Sequence, residues 1–287
     1  MNSSNNPSAT YPSGNTSLHL TNSLPHLASI KDGQVLIVGA SRGIGCGFVK
    51  TLLGHPTLKT VFATYRHEES ATELMALKAA YNSQRAEQAG PELVCLSMDI
   101  TDEEQITAGL NQIKAGGKQL HLVVNCVGFL HDATTQPEKS LRQLNAEQLA
   151  HYFHINSIGP VLLAKHLVPL LKGSDRSIFA TISAKIGSIG DNYLGGWYGY
   201  RASKAALNMF MRTAAIEYGR KSPKTIIVTL HPGTTDTRLS KPFQRSVPPS
   251  KLFSVEKTVG LLLTVIGQLN QEDSGHFFSW DGTRLPW

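Results

Sequence analysis

Strand-like and helix-like segments alternate from residue 33 to the end of the chain. Seven short runs have strand character, and several are apolar at consecutive positions, as in strands that are buried on both faces of a parallel sheet. These runs are residues 35–38, 60–65, 92–96, 120–124, 177–182, 225–230 and 276–280. Segments with helical spacing lie at 69–88, 102–115, 145–172 and 198–219. The alternation predicts a single doubly wound α/β domain over residues 33–287, with about seven parallel strands and helices on both faces.

Composition narrows the classes of protein to which the chain could belong. The 287 residues have a formal net charge of +6, but no run of Lys or Arg concentrates it as nucleic-acid-binding proteins do. No stretch approaches the roughly 18 apolar residues of a membrane-spanning helix. Three cysteines without a CxxC pair favour a reducing compartment. We therefore expect a soluble, cytoplasmic protein that binds neither nucleic acid nor membrane.

The N-terminal segment differs in composition from the rest. Residues 1–30 are rich in Ser, Asn, Thr and Pro and contain no acidic residue and no Arg. We predict that residues 1–32 form a disordered tail. Organelle targeting is the alternative, because transit peptides are also rich in Ser and poor in acids.

A glycine-rich turn follows the first predicted strand. The stretch "VGASRGIG" places Gly39, Gly43 and Gly45 between a strand and a helix. Glycine lets the backbone turn tightly and approach a pyrophosphate, while the helix N-terminus offers free N–H groups and a partial positive charge. The spacing differs from the commoner G-x-G-x-x-G, but the strand and helix supply the context that the motif requires. We predict a dinucleotide site, with an ordinary tight turn as the alternative.

Two arginines bear on which dinucleotide is bound. A fold specific for NAD offers Asp or Glu to the ribose 2′-hydroxyl about 20 residues after the glycines. Arg66 occupies that place here, and Arg42 lies inside the glycine turn. Because guanidinium groups bind phosphate bidentately, we predict NADP rather than NAD. The alternative is that Glu68 or Glu69 accepts a hydrogen bond from the ribose.

Asp99 follows the third predicted strand, at the edge of the sheet where cofactors bind. Its carboxylate could accept a hydrogen bond from an adenine amine. It could equally cap the helix that begins near Asp102.

The stretch "GGWYGYRASKAALN" contains Tyr198 and Tyr200 ahead of Lys204. Residues four apart on a helix lie within about 40° of each other, whereas residues six apart differ by about 120°. Tyr200 can therefore meet Lys204, and Tyr198 cannot. An ammonium roughly 5 Å away would favour the phenolate by about 3 kcal/mol, which lowers the tyrosine pKa by about two units. Such a phenol can serve as an acid–base catalyst, although a chance Tyr–Lys pair on an amphipathic helix is the alternative.

Three further motifs occur in order along the chain: "NCVG" at 125–128, "NSIG" at 156–159 and "HPGTTDT" at 231–237. With these motifs, the glycine turn and Y-x-x-x-K, residues 33–287 resemble the short-chain dehydrogenase/reductase family. The segments "ISAKIGSIGDN" and "DGTRLPW" resemble its C-factor-like carbonyl reductases. The resemblance implies a Rossmann-type fold, NADPH as cofactor and a small carbonyl or alcohol as substrate.

The resemblance also implies roles for individual residues. Tyr200 would protonate the carbonyl oxygen, Lys204 would lower the pKa of Tyr200 and bind the nicotinamide ribose, and Asn156 would hold a water that relays protons to Lys204. The residues implied to contact the cofactor are Gly39, Ser41, Arg42, Gly43, Ile44, Gly45, Arg66, Asp99, Ile100, Asn125, Gly128, Tyr200, Lys204, Pro232, Gly233, Thr235 and Thr237.

The family also has a serine that donates a hydrogen bond to the substrate oxygen, and two residues compete for that role here. The family commonly has two consecutive serines, of which the second lies about 13 residues before the tyrosine and is catalytic. This chain has Ser183 followed by Ala184, with Ser188 later in a loop of unusual length. We expect Ser183 to be the donor, because it closes the fifth strand, and Ser188 is the alternative.

Three other expectations complete the interpretation. The 231–253 stretch, with three prolines in its second half, predicts a substrate loop. His151 and His154 have a spacing seen in metal sites, but without a third ligand we expect no metal. The family commonly forms homodimers or homotetramers.

The alternative function is a nucleotide-binding sensor or signalling protein, which would need the glycine turn but not a tyrosine with a lowered pKa.

Overall fold

A seven-stranded parallel sheet lies at the centre of the computed structural model, which describes residues 24–28, 30, 32–85, 90–116, 119–173 and 175–287. The strands in chain order are β1 (Gly33–Val38), β2 (Leu58–Tyr65), β3 (Glu92–Ser97), β4 (Leu122–Asn125), β5 (Ser177–Ile182), β6 (Thr225–His231), β7 (Thr234–Thr235), β8 (Leu252–Phe253) and β9 (Phe277–Ser279). The sheet order is β3-β2-β1-β4-β5-β6-β9, and β7 pairs with β8 in a separate small ribbon.

Helices cover both faces of the sheet. They are α1 (Gly43–Leu52), α2 (Thr72–Arg85), α3 (Glu103–Ala115), α4 (Ala146–Phe153), α5 (Gly159–Leu171), α6 (Tyr198–Lys221) and α7 (Val255–Gln268). Alternate β1 residues point to opposite faces, so that Val35 and Ile37 pack with α1, α2 and α7, while Leu36 and Val38 pack with α3, α5 and α6. The predicted doubly wound α/β fold is confirmed. Within the described segments, no helix has both the length and the apolarity to cross a membrane.

The strand order reverses between β1 and β4, which both lie at the middle of the sheet. In open α/β sheets, ligands bind in the crevice that such a reversal opens at the carboxyl ends of the strands. The glycine turn leaves the end of β1, and Asn125 is the last residue of β4. The fold therefore brings two of the sequence motifs to the same crevice.

The predicted helix at 145–172 is interrupted. Asn145 caps α4 by accepting a hydrogen bond from the Gln148 N–H, but a π-helical turn at His154–Ile158 separates α4 from α5. Pro160 explains the interruption, because it has no N–H for the carbonyl of Asn156 and its ring would collide with that carbonyl in an α-helix. The turn changes the direction of the Asn156 side chain.

The N-terminal segment is closer to the domain than the sequence suggests. Pro25–Ala28 forms a helical turn, the side chains of Leu24 and Leu27 are fully buried in the core, and the Thr57 hydroxyl donates to the Leu27 carbonyl over 2.8 Å. The predicted tail of residues 1–32 must therefore be corrected for this part. Apolar side chains within a polar segment are the signal that was missed. Residues 1–23 lie outside the described residues.

Helices α1 and α7 pack closely because Gly47 has no side chain. A Cβ at Gly47 would overlap the Val255 side chain and lie 3.1 Å from Val259 Cγ2. Gly260 lies on the exposed side of α7, where a Cβ would meet nothing within 4 Å.

We predict that substitution by alanine changes the free energy of unfolding in opposite directions at these two glycines. Gly260→Ala should raise the free energy of unfolding by about 0.5–1 kcal/mol, because alanine has the higher helix propensity. Gly47→Ala should lower it by about 1–3 kcal/mol, because the added methyl pushes α1 from α7. Urea unfolding followed by circular dichroism measures both changes. Equal effects of the two substitutions would contradict this account of the packing.

Candidate active site

The glycine turn at the end of β1 leaves space that side chains would otherwise fill. Gly39 and Gly43 have φ values of +77° and +57°, which glycine adopts without strain. A Cβ at Gly39 would lie 2.7 Å from Val127 Cγ2, and one at Gly45 would overlap the Gly39 carbonyl oxygen. No other residue fits at these positions without moving the backbone, and the turn leads directly into the N-terminus of α1. The turn therefore leaves open space beside the free N–H groups of the helix N-terminus, the geometry that an anion requires.

Positive charge gathers beside the turn. Burial, together with the charges of Arg238 and Arg66, lowers the pKa of Arg42. The Arg66 Nε lies 4.0 Å from the Asp99 carboxylate and its side chain is largely exposed. Arg66 and Arg238 therefore both repel Arg42 beside the glycine turn, and a bound dianion would relieve that repulsion.

Arg238 was not predicted from the sequence. It follows Thr237, whose Cγ2 lies 3.4 Å from the position that a Cβ on Gly43 would take. The 231–253 segment, the predicted substrate loop, thus contacts the glycine turn through Thr237. Only the fold reveals this contact, since almost two hundred positions separate the two segments.

Asp99 and Asp102 have separate tasks. Asp102 caps α3 by accepting from the N–H groups of Glu104 and Gln105. Asp99 accepts instead from the N–H and hydroxyl of Thr101, over 2.9 and 2.8 Å. The capping alternative for Asp99 therefore does not apply, and its other carboxylate oxygen is the one nearer Arg66. The next residue, Ile100, is buried in the core.

Tyr200 and Lys204 lie together on α6. The exposed fraction is 7 % for Tyr200 and 2 % for Lys204, and the Lys204 Nζ lies 5.9 Å from the centre of the Tyr200 ring. The ammonium donates to the carbonyl of Ile182, at the end of β5, over 3.0 Å. Tyr198 is only half-buried and has no recorded contact with Lys204. The helical phase that distinguished the two tyrosines is thus realised in the structure.

The pKa values of this pair differ from expectation. Burial lowers the pKa of Lys204 to about 8. Burial, with a smaller contribution from Tyr152, raises the pKa of Tyr200. The direction is opposite to the expected lowering of the Tyr200 pKa, because burial disfavours the charged phenolate. A phenol that keeps its proton at neutral pH is nevertheless in the state that a proton donor requires.

Asn156 joins the segment after β4 to α6. Its Oδ1 accepts from the Phe129 N–H over 2.8 Å, and its Nδ2 donates to the Phe129 carbonyl and to the Ser203 hydroxyl over 2.9 and 3.0 Å. The side chain is fully buried in the π-helical turn. The amide therefore ties the Phe129 backbone to Ser203 of α6.

Asn125 and Gly128 line the same crevice. The Asn125 Oδ1 accepts from the Val127 N–H over 3.2 Å, while its buried Nδ2 has no partner among the described residues. A Cβ on Gly128 would lie 3.5 Å from the Lys204 Nζ, so this residue lies directly beside the ammonium.

The "HPGTTDT" motif divides between the crevice and the core. Thr237 faces the glycine turn, whereas the Thr235 hydroxyl is buried and pairs with that of Thr258 in α7 over 2.8 Å. Gly233 has a φ of +73° and packs on the Phe253 ring, and Pro232 precedes it. His231 begins the motif; burial, then the charge of a nearby lysine, lowers its pKa to about 4, which keeps it neutral.

The two candidate serines have different partners. The Ser183 hydroxyl, only 2 % exposed, donates to the Asn208 Oδ1 over 2.8 Å. The Ser188 hydroxyl accepts from the Asp191 N–H over 3.2 Å. Between them, Ala184 points to the other side of the extended chain and packs in the cluster around Tyr200. Ser183 can therefore donate to a substrate only after its hydroxyl turns away from Asn208.

Apolar side chains surround the phenol. We call this group the Tyr200 cluster; it comprises Phe129, Leu130, Tyr152, Ala184, Ile186, Trp197, Tyr200, Leu239 and Phe243. The Trp197 and Phe243 rings meet edge to face at 4.7 Å, so the substrate loop covers this side of the crevice. The Tyr152 hydroxyl donates to the Leu130 carbonyl, whereas the Tyr200 hydroxyl has no hydrogen-bond partner among the described residues. The cluster therefore presents one free phenol in an apolar wall.

No group of three or more His, Cys, Asp or Glu side chains is arranged for metal binding in the described segments. His151 packs edge to face on Phe129, at 4.7 Å between ring centres.

Comparisons with known proteins agree with this geometry. The family model for "short chain dehydrogenase" matches residues 34–247. The NADPH-bound carbonyl reductase from chicken fatty liver superposes with a TM-score of 0.76 at 30 % identity, over 90 % of this chain and 100 % of that one. A benzil reductase ((S)-benzoin forming) of Saccharomyces cerevisiae is 31 % identical over 75 % of this chain and 76 % of its own length.

A shorter similarity links the chain to the C-signal protein of Myxococcus xanthus, which is 33 % identical over 52 % of this chain and 84 % of its own length. The family model covers most of the chain, and its residues include the glycine turn, Asn156, Tyr200 and Lys204. The chain belongs to the short-chain dehydrogenase family.

Proposed function

We propose that this protein is an NADPH-dependent reductase of aldehydes or ketones that uses Tyr200 as its proton donor. The observation that carries the proposal is the free Tyr200 hydroxyl in an apolar wall, beside the buried ammonium of Lys204. The glycine turn alone would serve a protein that only binds a nucleotide. The protonated phenol beside it has a use only in a reaction, and it therefore favours carbonyl reduction. The apolar cluster suits an uncharged carbonyl substrate.

The residues at the crevice fit a nicotinamide dinucleotide. The glycine turn leaves space that any Cβ would fill, the Asn125 Nδ2 is buried without a partner, and Arg42 and Arg66 gather positive charge. We infer that the turn holds the pyrophosphate and that the guanidinium groups hold the 2′-phosphate. The bound cofactor would supply the hydride. The similarity to an NADPH-bound carbonyl reductase supports the same choice of cofactor.

In the proposed reaction, the residues at the site donate the proton, stabilise the charge that develops or hold neighbouring groups in place. Tyr200 gives its proton to the carbonyl oxygen, and the Lys204 ammonium stabilises the resulting phenolate. Asn156 holds the Phe129 backbone and Ser203 in place, so the wall opposite the phenol stays fixed. Asp99 lies near Arg66, where it can face the adenine side of the cofactor.

A serine hydroxyl would assist by donating to the carbonyl oxygen. We propose Ser183, after rotation away from Asn208, with Ser188 as the alternative. Removal of one such donor typically costs about 100-fold or more in kcat. Ser183→Ala and Ser188→Ala, compared at equal folded concentration, distinguish the two serines.

A signalling or sensor role is the second candidate, since the C-signal protein is 33 % identical over about half of this chain. That role would need nucleotide binding without turnover, whereas the predicted C-factor-like carbonyl reductase subgroup would need both. The cytoplasmic location and a homodimeric or homotetrameric state remain predictions.

The reductase proposal predicts a strong effect of Tyr200→Phe. With NADPH and a panel of aldehydes and ketones, the variant should lose about 100-fold to 10,000-fold in kcat, because the proton donor is gone. Its Kd for NADPH should change by about tenfold or less, since at most one neutral hydrogen bond to the cofactor is lost. Absorbance at 340 nm follows NADPH oxidation, and fluorescence titration gives the Kd.

Tyr198→Phe is the matched control for Tyr200→Phe and should keep its activity, because Tyr198 lies six residues from Lys204. If wild type and Tyr200→Phe bind NADPH but are equally inert with every carbonyl, the sensor role replaces the reductase role.

The cofactor assignment predicts a selective effect of Arg66→Ala. The variant should weaken NADPH binding by about 10-fold to 100-fold, the effect of losing a hydrogen bond to a charged group, and should leave NADH binding nearly unchanged. Fluorescence titration with both nucleotides measures this. Arg220→Ala, at the far end of α6, is the control. Equal or tighter binding of NADH by wild type would overturn the assignment.

A further inference from the structure

Glu138 is a buried carboxylate beside the beginning of α6, the helix that carries Tyr200 and Lys204. It lies between β4 and α4, and its exposed fraction is 2 %, although the residues on its C-terminal side are exposed. None of the ion pairs formed by the described residues includes Glu138. A buried charge without a counter-charge is costly, so the hydrogen bonds that it accepts must compensate.

Those hydrogen bonds fix the beginning of α6. The Glu138 Oε2 accepts from the Gly199 N–H over 3.1 Å, and its main-chain carbonyl accepts from the Trp197 N–H over 2.5 Å. The Oε1 accepts from the Gln148 Nε2 of α4 over 3.3 Å. One residue thereby connects the segment after β4, helix α4 and the first turn of α6.

Helix α6 has no cap of its own. Its N-cap residue, Trp197, adopts a left-handed conformation with φ of 53° and its side chain caps nothing. The first N–H groups of a helix need acceptors from elsewhere, and a negative charge there also complements the helix dipole. Glu138 supplies both from a distant part of the sequence.

Gly199 makes this approach possible. A Cβ at Gly199 would overlap the Tyr152 ring and lie 3.0 Å from the Glu138 Oε1. Tyr152 in turn packs edge to face on Tyr200, with 6.5 Å between ring centres. Since Tyr200 is the residue after Gly199, any shift in the beginning of α6 moves the phenol directly.

We propose that Glu138 is a positioning residue, whose carboxylate caps α6 and sets the place of the Tyr200 hydroxyl in the crevice. The proposal rests on the reductase function, since it is there that the position of the phenol affects turnover. It predicts that loss of the carboxylate lowers kcat without loss of cofactor affinity, because the glycine turn and the arginines lie elsewhere. A misplacement of about 1 Å can cost about 100-fold in rate.

Glu138→Ala and Glu138→Gln test the proposal in the full-length protein. Glu138→Ala should lower kcat by about 10-fold to 100-fold, with a Kd for NADPH within about twofold of wild type. Glu138→Gln should recover most of the loss, because its Oε1 can still accept from Gly199. Hydrogen exchange should become faster in Glu138→Ala at the amides of residues 197–201, and this measurement does not depend on activity.

Asp273→Ala provides the matched control. Asp273 is another buried carboxylate that accepts from a backbone N–H, that of Asn270 over 2.9 Å, and it also pairs with Arg284. It precedes β9 and so lies at the amino ends of the parallel strands, opposite the crevice. The variant should lose stability and keep its kcat. If it loses as much kcat as Glu138→Ala, the effect is general destabilisation and the proposal fails.

Two other outcomes would also overturn the proposal: unchanged exchange at 197–201 in Glu138→Ala, or faster exchange there with kcat unchanged. A wild-type protein that reduces no carbonyl would contradict the reductase function instead. The exchange measurement would then still decide whether Glu138 holds the beginning of α6.

Discussion

The buried ammonium of Lys204 is the interaction on which the rest of the site depends. Removing a lysine from water is costly, and here one carbonyl, that of Ile182 at the end of β5, accepts from it. The neighbouring chain leaves room for the lysine at Gly187, where a Cβ would lie only 2.7 Å from the Lys204 Cβ. Burial lowers the pKa of Lys204 to about 8, so the ammonium begins to lose its proton only slightly above neutral pH.

The same burial explains the state of Tyr200. Desolvation raises the pKa of Tyr200, so the phenol is protonated before a carbonyl substrate binds. Asn156 in the π-helical turn and Glu138 at the beginning of α6 hold the two sides of this arrangement. In the proposed function, the chain therefore contributes a neutral acid, a nearby cation and a rigid apolar wall.

The fold was largely predictable from sequence because apolar runs and helical spacing report burial directly. The phase of Tyr200 relative to Lys204 was predictable as well, since it needs only the geometry of one helix. The sign of the Tyr200 pKa change was not, because desolvation depends on the whole cluster around the phenol. Sequence spacing counts charges but does not show how much water surrounds them.

Contacts between distant segments explain the remaining differences. Glu138 caps a helix some sixty positions along the chain, and Arg238 reaches Arg42 only because the substrate loop folds over the glycine turn. The residue pair Ser183–Ala184 shows the same limit: local counting could not tell that the alanine joins the Tyr200 cluster while the serine faces Asn208. Each of these contacts depends on packing between elements, for which the chain has no local signal.

The pH dependence of kcat for carbonyl reduction, at saturating NADPH, tests the central claim most directly. Since the Lys204 pKa is about 8, the account predicts that kcat falls as pH rises above that value, because the neutral amine no longer stabilises the phenolate. Lys204→Arg keeps its charge and should lose this alkaline fall, whatever its absolute kcat. A wild-type kcat that stays constant to about pH 10, the range where a free lysine loses its proton, would contradict the claim. The same alkaline fall in Lys204→Arg would contradict it equally.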